Sequence, residues 1–470
     1  MVGQEPMVGE EPRDSFEERL QLLSQCGFFD RLSRGEKADV VDALDMVEVD
    51  AGDALFLQGD PGDAMYIVDR GLLEVRATMA GGRDETLDRL DPGASVGEMA
   101  LITGRPRSAG VFAVVDSRLV RLSKTGFDRL AERHPALLNG FAWAMTPRVQ
   151  RTLLAGVLLR LFDELDPLTL RDLQEQMVWR RLAAGERLFA QGDSGESLFV
   201  VVNGRLQFVA EAGAGAGQAG PRVLGEVGAG ETIGEFSLLT DEPRSASVYA
   251  VRESDVVELS RPVFEQLARR HPEVMGAIAR GIARRQQRAL GIGTVAPVAL
   301  NLTLVPAGGG ADLQAAAVHL AAALGDARIL SAGSFDEAFG RPGAAVLDAD
   351  DPVSLVINGW LQEQAALAGA LLFVAGSELN NWTRRCLGHA DRVVAVGSAS
   401  ADPSLNPVER AIPERTPTTV VLLDRGHEPV GEWQLLREGR RIVRVRQDVG
   451  ADWDALARIL TQVEPGSAAG

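Results

Sequence analysis

Two stretches of the chain carry nearly the same residues in the same order. Gly52-Asp53, Gln58-Gly59-Asp60 and Gly71 recur 133 residues on (52 to 185) as Gly185-Glu186, Gln191-Gly192-Asp193 and Gly204. Gly97-Glu98, Pro106-Arg107-Ser108-Ala109, Phe127 and His134-Pro135 recur 137 residues on (97 to 234) as Gly234-Glu235, Pro243-Arg244-Ser245-Ala246, Phe264 and His271-Pro272. Self-similarity at fixed spacing marks a duplicated folding unit, so a single-domain chain is excluded. The growth in offset falls in the Ala/Gly-rich segment 211–220, where a hairpin loop tolerates insertion. Within each copy, short β-favouring runs at 64–68 and 197–202 sit between Gly/Asp turns, which predicts a small β-barrel or jelly roll. Helical periodicity follows at Phe127, Leu130 and Ala131, and again at Phe264, Leu267 and Ala268; helix patterns over 16–44 and 149–173 precede the barrels.

The repeated cassette has a chemistry. A glycine at 97 or 234 lets backbone N–H groups approach an anion, and a short helix starting there adds a favourable dipole end. Arg107 or Arg244 can pair with a phosphodiester through a charge-assisted fork, while Glu98 or Glu235 can accept from a sugar hydroxyl. An acid and a base beside one glycine suit a sugar phosphate better than free phosphate.

GEMALITGRPRSA (97–109) and GEFSLLTDEPRSA (234–246) resemble the phosphate-binding cassette of cyclic nucleotide-binding domains, the family of protein kinase A regulatory subunits and catabolite-activator-type regulators. The resemblance covers about residues 16–291. It implies that Glu98 and Glu235 hold the ribose 2′-hydroxyl and that Arg107 and Arg244 hold the cyclic phosphate. Gly97, Ser108 and Ala109, with Gly234, Ser245 and Ala246, complete the two cassettes. Gly110 and Val96 depart from the family pattern, whereas Ser247 keeps a hydroxyl after the second cassette. The second pocket is therefore expected to be the stronger. The alternative is that one or both barrels keep the cassette as a folding element and bind nothing.

From Val298 strands alternate with helices: strands at 300–305, 344–347, 371–375, 393–396 and 420–423, helices at 313–324, 353–368 and 382–389. Alternation predicts an α/β layer with a mainly parallel, Rossmann-like sheet. The run 377–393, with Trp382, Arg384, Arg385 and Asp391, resembles the α/β region that precedes the catalytic domain of neuropathy target esterase-like (patatin-type) phospholipases, as do 403–409 and 454–461. Those side chains read as a buried anchor with a helix-surface ion-pair network, the alternative being a docking surface for a lipase domain. The resemblance implies a Gly-rich oxyanion loop, a G-x-S-x-G serine and an Asp for catalysis, and the chain's G-x-S-x-G at 93–97 lies inside the first cassette, where Ser95 is expected to be a turn residue. Gly308-Gly309-Gly310 lacks the Lys-Ser or Lys-Thr of a phosphate loop and reads as a strand-to-helix turn.

The expected architecture is mixed: a tail over 1–15, two cyclic nucleotide-binding barrels with flanking helices over 16–148 and 149–293, and a Rossmann-like α/β domain over 294–465. A net charge of −18 opposes nucleic acid, and a strand rather than a helix-turn-helix follows the second barrel. The longest apolar run is too short to span a bilayer. Arg269, Arg270, Arg280, Arg284, Arg285 and Arg288 read as a solvated helix face, with peripheral membrane contact as the alternative. Cys26 and Cys386 match no metal spacing and suggest a reducing, cytoplasmic compartment. The expected function is that of a non-enzymatic regulatory protein that senses cyclic AMP or cyclic GMP, cyclic AMP favoured, and couples binding to the C-terminal α/β module, with no cofactor and with a patatin-like lipase domain or other effector as partner. The alternatives are the regulatory part of a split or truncated lipid esterase and a scaffold with degenerate pockets.

Overall fold

A computed structural model describes residues 13–30, 32–78, 84–98, 101, 106–107, 109–161, 167–211, 221–289, 300–309, 311–348, 351, 353–424 and 431–461. The described residues form two compact units. One holds the first barrel up to residue 149 with short stretches at 337–342 and within 350–355; the other holds the second barrel and the parallel sheet.

In the first unit, helices α1 (Arg13–Gln25) and α2 (Arg34–Asp42) lead into strands β1 (Leu44–Val49), β2 (Ala54–Phe56), β3 (Ala64–Thr78), β4 (Asp84–Leu90), β5 (Ser95–Val96) and β6 (Gly110–Ser123). A capping box between Ser33 and Glu36 starts α2. The strands form one antiparallel sheet in the order β1-β6-β3-β4, with β2 on β6 and β5 on β3. Helices α3 (Lys124–Arg133) and α4 (Pro135–Leu161) follow. Phe29, Phe127 and Phe141 pack ring against ring, 4.8 Å between the centroids of Phe127 and Phe141 and 5.4 Å between those of Phe29 and Phe141.

The second barrel repeats this order after α5 (Pro167–Gln176): β7 (Val178–Leu182), β8 (Arg187–Phe189), β9 (Ser197–Asn203), β10 (Arg205–Ala210), β11 (Arg222–Gly228), β12 (Thr232–Ile233), α6 (Glu235–Thr240), β13 (Ser247–Ala250), β14 (Ser254–Ser260), α7 (Arg261–Arg270) and α8 (Pro272–Ala289). Here the long strands are broken at Gly204 and at 251–253, and two four-stranded sheets result, β11-β10-β13-β8 and β12-β9-β14-β7. Gly71 and Gly204 are needed for a close approach as well as for φ of +103° and +100°: a Cβ would come within 2.2 Å of Ser117 Oγ and 2.1 Å of Ser254 Oγ. Phe264 and Leu267, one helical turn apart, bury α7 against Leu198 and Val257.

The last part alternates β15 (Leu300–Pro306), α9 (Leu313–Leu324), β16 (Ala327–Leu330), α10 (Ala332–Phe339), α11 (Val353–Ala368), β17 (Ala370–Val374), α12 (Asn381–Gly388), β18 (Arg392–Ser398), α13 (Pro407–Arg410), β19 (Thr418–Leu423), α14 (Gly431–Leu436), β20 (Arg441–Val445) and α15 (Gly450–Thr461). The sheet is parallel throughout, in the order β16-β17-β15-β18-β19-β20. A doubly wound dinucleotide fold would run third-second-first strand on one side; here the second and third are exchanged. The expected strand at 344–347 is instead a 3₁₀ turn, Ala344–Val346, entered through Gly343 at φ +79°. Gly308 and Gly397, near the carboxyl ends of β15 and β18, both face the indole of Trp433: a Cβ on either would lie 2.7 Å from its Cη2. Below it, Arg437 grips the fully buried Glu409 through two hydrogen bonds of 2.8 and 2.9 Å. The crevice where open α/β sheets receive ligands is thus filled from within.

The second barrel joins the parallel sheet through buried charge. Arg252, in the turn between β13 and β14, donates to Asp391 Oδ2 at 3.1 Å, which also accepts the Asn301 N–H at 2.8 Å. Glu253 N–H donates to Gly388 O, and Asn358 Nδ2 donates to the Glu253 carboxylate at 3.1 Å. Trp382 is buried with its Nε1 donating to Val374 O at 2.9 Å, and Arg385 is buried on Leu347 O. Trp382, Arg385 and Asp391 are packing anchors, not an exposed docking surface; Arg384 alone of that group is exposed.

Candidate nucleotide pockets

Gly97 and Gly234 open the cassettes with φ of +80° and +83°. A Cβ at either would stand 2.4 or 2.2 Å from the cassette arginine's Nη1, so glycine is demanded by the backbone and by the arginine together. Arg107 Nη1 donates to Gly97 O and Arg244 Nη1 to Gly234 O, each at 2.9 Å. The Gln-Gly-Asp turns hold the arginines from the other side. Arg107 N–H donates to Asp60 O at 2.8 Å and Gly59 N–H to Arg107 O at 2.9 Å; Asp193 and Gly192 do the same for Arg244 at 2.9 Å each. The two most conspicuous repeated phrases are thereby one backbone clamp.

Sequence reasoning missed the aromatic floor. The guanidinium carbon of Arg107 lies 4.2 Å from the Phe56 ring centre and 5.9 Å from that of Tyr66. Arg244 lies 4.3 Å from Phe189 and 5.8 Å from Phe199. These rings recur at the offset of the glycines, yet in a β-rich sequence they look like ordinary barrel core. Stacking holds each guanidinium with a contribution of about 0.5–2 kcal/mol.

Arg107 and Arg244 are 5 and 4% exposed. Burial draws both below the usual arginine proton affinity, and the acids around them oppose that loss. Among the described residues, Nε of Arg107, Nε of Arg244 and Oε2 of Glu235 are buried without a hydrogen-bond partner. Buried polar atoms ordinarily find partners, and a ligand bearing an anionic acceptor and a hydroxyl donor would satisfy these.

The described cassette residues come together, with differences between the copies. Glu98 and Glu235 are both buried beside their glycines. Glu235 is also gripped by Arg285 of α8, which donates to its Oε1 and to Thr232 O. Burial pushes the Glu235 carboxyl up and Arg285 pulls it back. Arg285 therefore corrects the expected solvated face: Arg269, Arg270 and Arg280 are exposed, while Arg285 turns into the second cassette. The side chains of Arg284 and Arg288 lie outside the described residues. Ala109 is half-buried, Ala246 buried and Ser245 exposed; Ser108 lies outside the described residues, as do the 212–220 insertion and the 290–299 linker.

Ser247 does not offer the hydroxyl expected of it. It is fully buried and its Oγ accepts the Gln191 N–H at 3.0 Å. At the equivalent place in the first copy, a Cβ on Gly110 would meet the Phe112 ring at 3.0 Å, so a ring occupies that space. Ser95 is 3% exposed in β5, opposite Ile67, which is a strand position and not a nucleophile elbow. Among the described residues there is no group of three His, Cys, Asp or Glu able to hold a metal ion, and no helix long and apolar enough to cross a membrane.

The family described as "Cyclic nucleotide-binding domain" matches residues 46–134 and 179–271. The cAMP-dependent protein kinase regulatory subunit of Dictyostelium discoideum is 31% identical over 247 residues, 53% of this chain and 72% of that protein. Patatin-like phospholipase domain-containing protein 7 of Mus musculus is 25% identical over 456 residues, 88% of this chain and 32% of that protein. Lysophospholipase NTE1 of Pyricularia oryzae is 25% identical over 449 residues, 79% of this chain and 28% of that protein. The chain thus spans about a third of the length of the phospholipases it matches. These alignments overturn the expectation of a non-enzymatic protein: relatives named as phospholipases match through most of the chain, and a separation from any catalytic domain has no support.

Proposed function

Because the chain belongs to the cyclic nucleotide-binding domain family, we propose that its two cassettes bind cyclic nucleotide, cyclic AMP in preference to cyclic GMP, and that occupancy regulates a patatin-like lipid esterase of which this chain forms part. The observation that carries the reading is the buried arginine clamp, built twice, with donors and an acceptor left for a ligand. Arg107 and Arg244 would take the cyclic phosphate, and Glu98 and Glu235 the ribose hydroxyl. Gly97, Ser108 and Ala109, with Gly234, Ser245 and Ala246, would line the two pockets. The likeness to the Dictyostelium kinase subunit supports cyclic AMP, and the likeness to phospholipases supports the esterase.

The second barrel, fixed by Arg252 to the parallel sheet, gives occupancy a route into the α/β part, and the parallel sheet is what supports the Rossmann-like reading of that part. The domain limits near 148 and 293 fit this division of labour. Buried, unbridged Cys26 and Cys386 fit a cytoplasmic setting. Calorimetric titration with cyclic AMP and cyclic GMP tests the binding. Heat is expected with the wild type and none with the Arg107→Ala/Arg244→Ala double variant; no heat from the wild type with either nucleotide overturns the reading. Ester hydrolysis by the gene's complete product, with and without cyclic AMP, tests the regulation.

A further inference from the structure

Arg261, the first residue of α7, commits all five of its N–H donors to the second cassette and its approach loop. Nε donates to the Glu196 carboxylate at 3.3 Å, and Nη1 to Asp241 Oδ1 at 2.7 Å and Leu238 O at 3.4 Å. Nη2 donates to Ser237 O at 3.1 Å and Gly195 O at 3.0 Å. Ser237 O and Leu238 O lie in the last turn of α6, where carbonyls lack helical partners and a cation is favoured. Asp241, which ends α6, has φ +57° and is the one non-glycine with positive φ among the described residues. That strained residue is held by the same guanidinium. A Cβ on Gly195 would fall 2.0 Å from Ser237 Cβ, so loop and helix already touch.

The first copy has Lys124 at this place. Its Nζ donates to Leu101 O, the counterpart of Leu238 O, at 3.2 Å, and to Asp128 at 3.3 Å. An ammonium presents its donors from a single atom and cannot bridge the points that a planar guanidinium reaches.

We propose that Arg261 is a positioning residue of the second cassette, which fixes α6, and with it Gly234 and Glu235, in the ligand-ready place before ligand arrives and ties that place to α7. The inference rests on the cyclic nucleotide reading for its effect on affinity, but not for its effect on α6 itself. A preordered site gains affinity because less ordering remains for binding to accomplish.

Two measurements on Arg261→Lys and Lys124→Arg test it: amide hydrogen exchange of 235–240 without ligand, and cyclic AMP titration, with Lys124→Arg placed in an Arg244→Ala background to isolate the first pocket. Arg261→Lys keeps the charge and is expected to speed α6 exchange and weaken the second pocket about tenfold. Lys124→Arg is expected to strengthen the first pocket about threefold, a gain that structural damage does not produce. Unchanged α6 exchange and affinity in Arg261→Lys, or a first pocket weakened by Lys124→Arg, overturns the inference. If wild-type protein binds no cyclic AMP, the functional reading fails, and α6 exchange alone decides whether Arg261 holds the cassette.

Discussion

Position 121 of the first barrel and position 258 of the second are the same place in the repeat and carry opposite charge. Arg121 stands opposite Tyr66 and Glu258 opposite Phe199, the rings beside which Arg107 and Arg244 lie. Around the first arginine, Asp63 is shared between Arg107 at 3.5 Å and Arg121 at 2.9 Å, with the exposed Asp45 outside. Around the second, Glu258 pairs outward with Arg180 at 3.5 Å. The inner charge is thus positive in one copy and negative in the other. What stayed the same is what backbone geometry demands, namely the φ > 0 glycines, the arginine and the ring under it. Charge at the rim, which the fold does not constrain, diverged.

The largest expected effect removes a pocket outright. Arg244→Ala and Arg107→Ala should each abolish one site, weakening it at least about a hundredfold through loss of charge-assisted hydrogen bonds. Calorimetric stoichiometry should fall from two to one in either variant; a stoichiometry of two in Arg107→Ala would deprive the first cassette of its role. With Ser247 committed to Gln191, the expectation of a stronger second pocket now stands on Arg261.

Next comes the turn that follows β13. Arg252 is buried on Asp391, whereas its counterpart Val115 is exposed. Arg252→Ala removes one charge-assisted hydrogen bond from a buried carboxylate that keeps Arg205 at 3.5 Å and the Asn301 N–H, and should cost about 1.5–3 kcal/mol, against about 0.5 kcal/mol or less for Val115→Ala. Urea unfolding of both variants measures the contrast, and equal losses would mean that the charge pair carries no stability.

The third comparison is between the two units in acid. His389, in the second unit, is buried and its pKa lies near 3, with Arg385 and Arg252 adding to the effect of burial. Folded protein leaves it neutral while unfolded chain protonates it below about 6.5. The unfolded state then binds more protons, so stability drops as pH falls from about 6.5 towards 3, by up to about 1.4 kcal/mol per pH unit. His389→Gln should flatten this slope in urea unfolding at stepped pH. An unchanged slope would place the acid sensitivity elsewhere.

The smallest expected effect is the charge reversal itself. Glu258→Arg should tighten cyclic AMP binding to the second pocket a few-fold, and Arg121→Glu should weaken the first to a similar degree, both shrinking as salt is raised. Salt-independent changes would point to packing instead of charge.

The repeat, the cassette residues and the parallel layer were legible because each leaves a local mark: glycine where φ is positive, and sustained apolar periodicity over 313–324 and 353–368, where α9 and α11 lie. Strands β16 and β20 escaped because they are short edge strands carrying Arg328, Arg441 and Arg444, which dilute alternation. The roles of Arg285 and Arg261 were not legible for another reason. Helical periodicity tells which face is polar, but not that a polar side chain folds back onto a cassette some twenty to fifty residues earlier in the chain.

The indole of Trp433 behaves as a guest tethered to its own host. Shortening it to glycine would leave a flat-sided hole between Gly308 and Gly397, with the Arg437 guanidinium that stacks on the ring at 4.4 Å left to face a replacement. Holes of that kind accept small aromatic molecules from solution. Added indole would then stabilise the shortened protein by an amount that grows with the logarithm of its concentration, and the α/β part would acquire a dose-dependent handle that the natural side chain keeps permanently engaged.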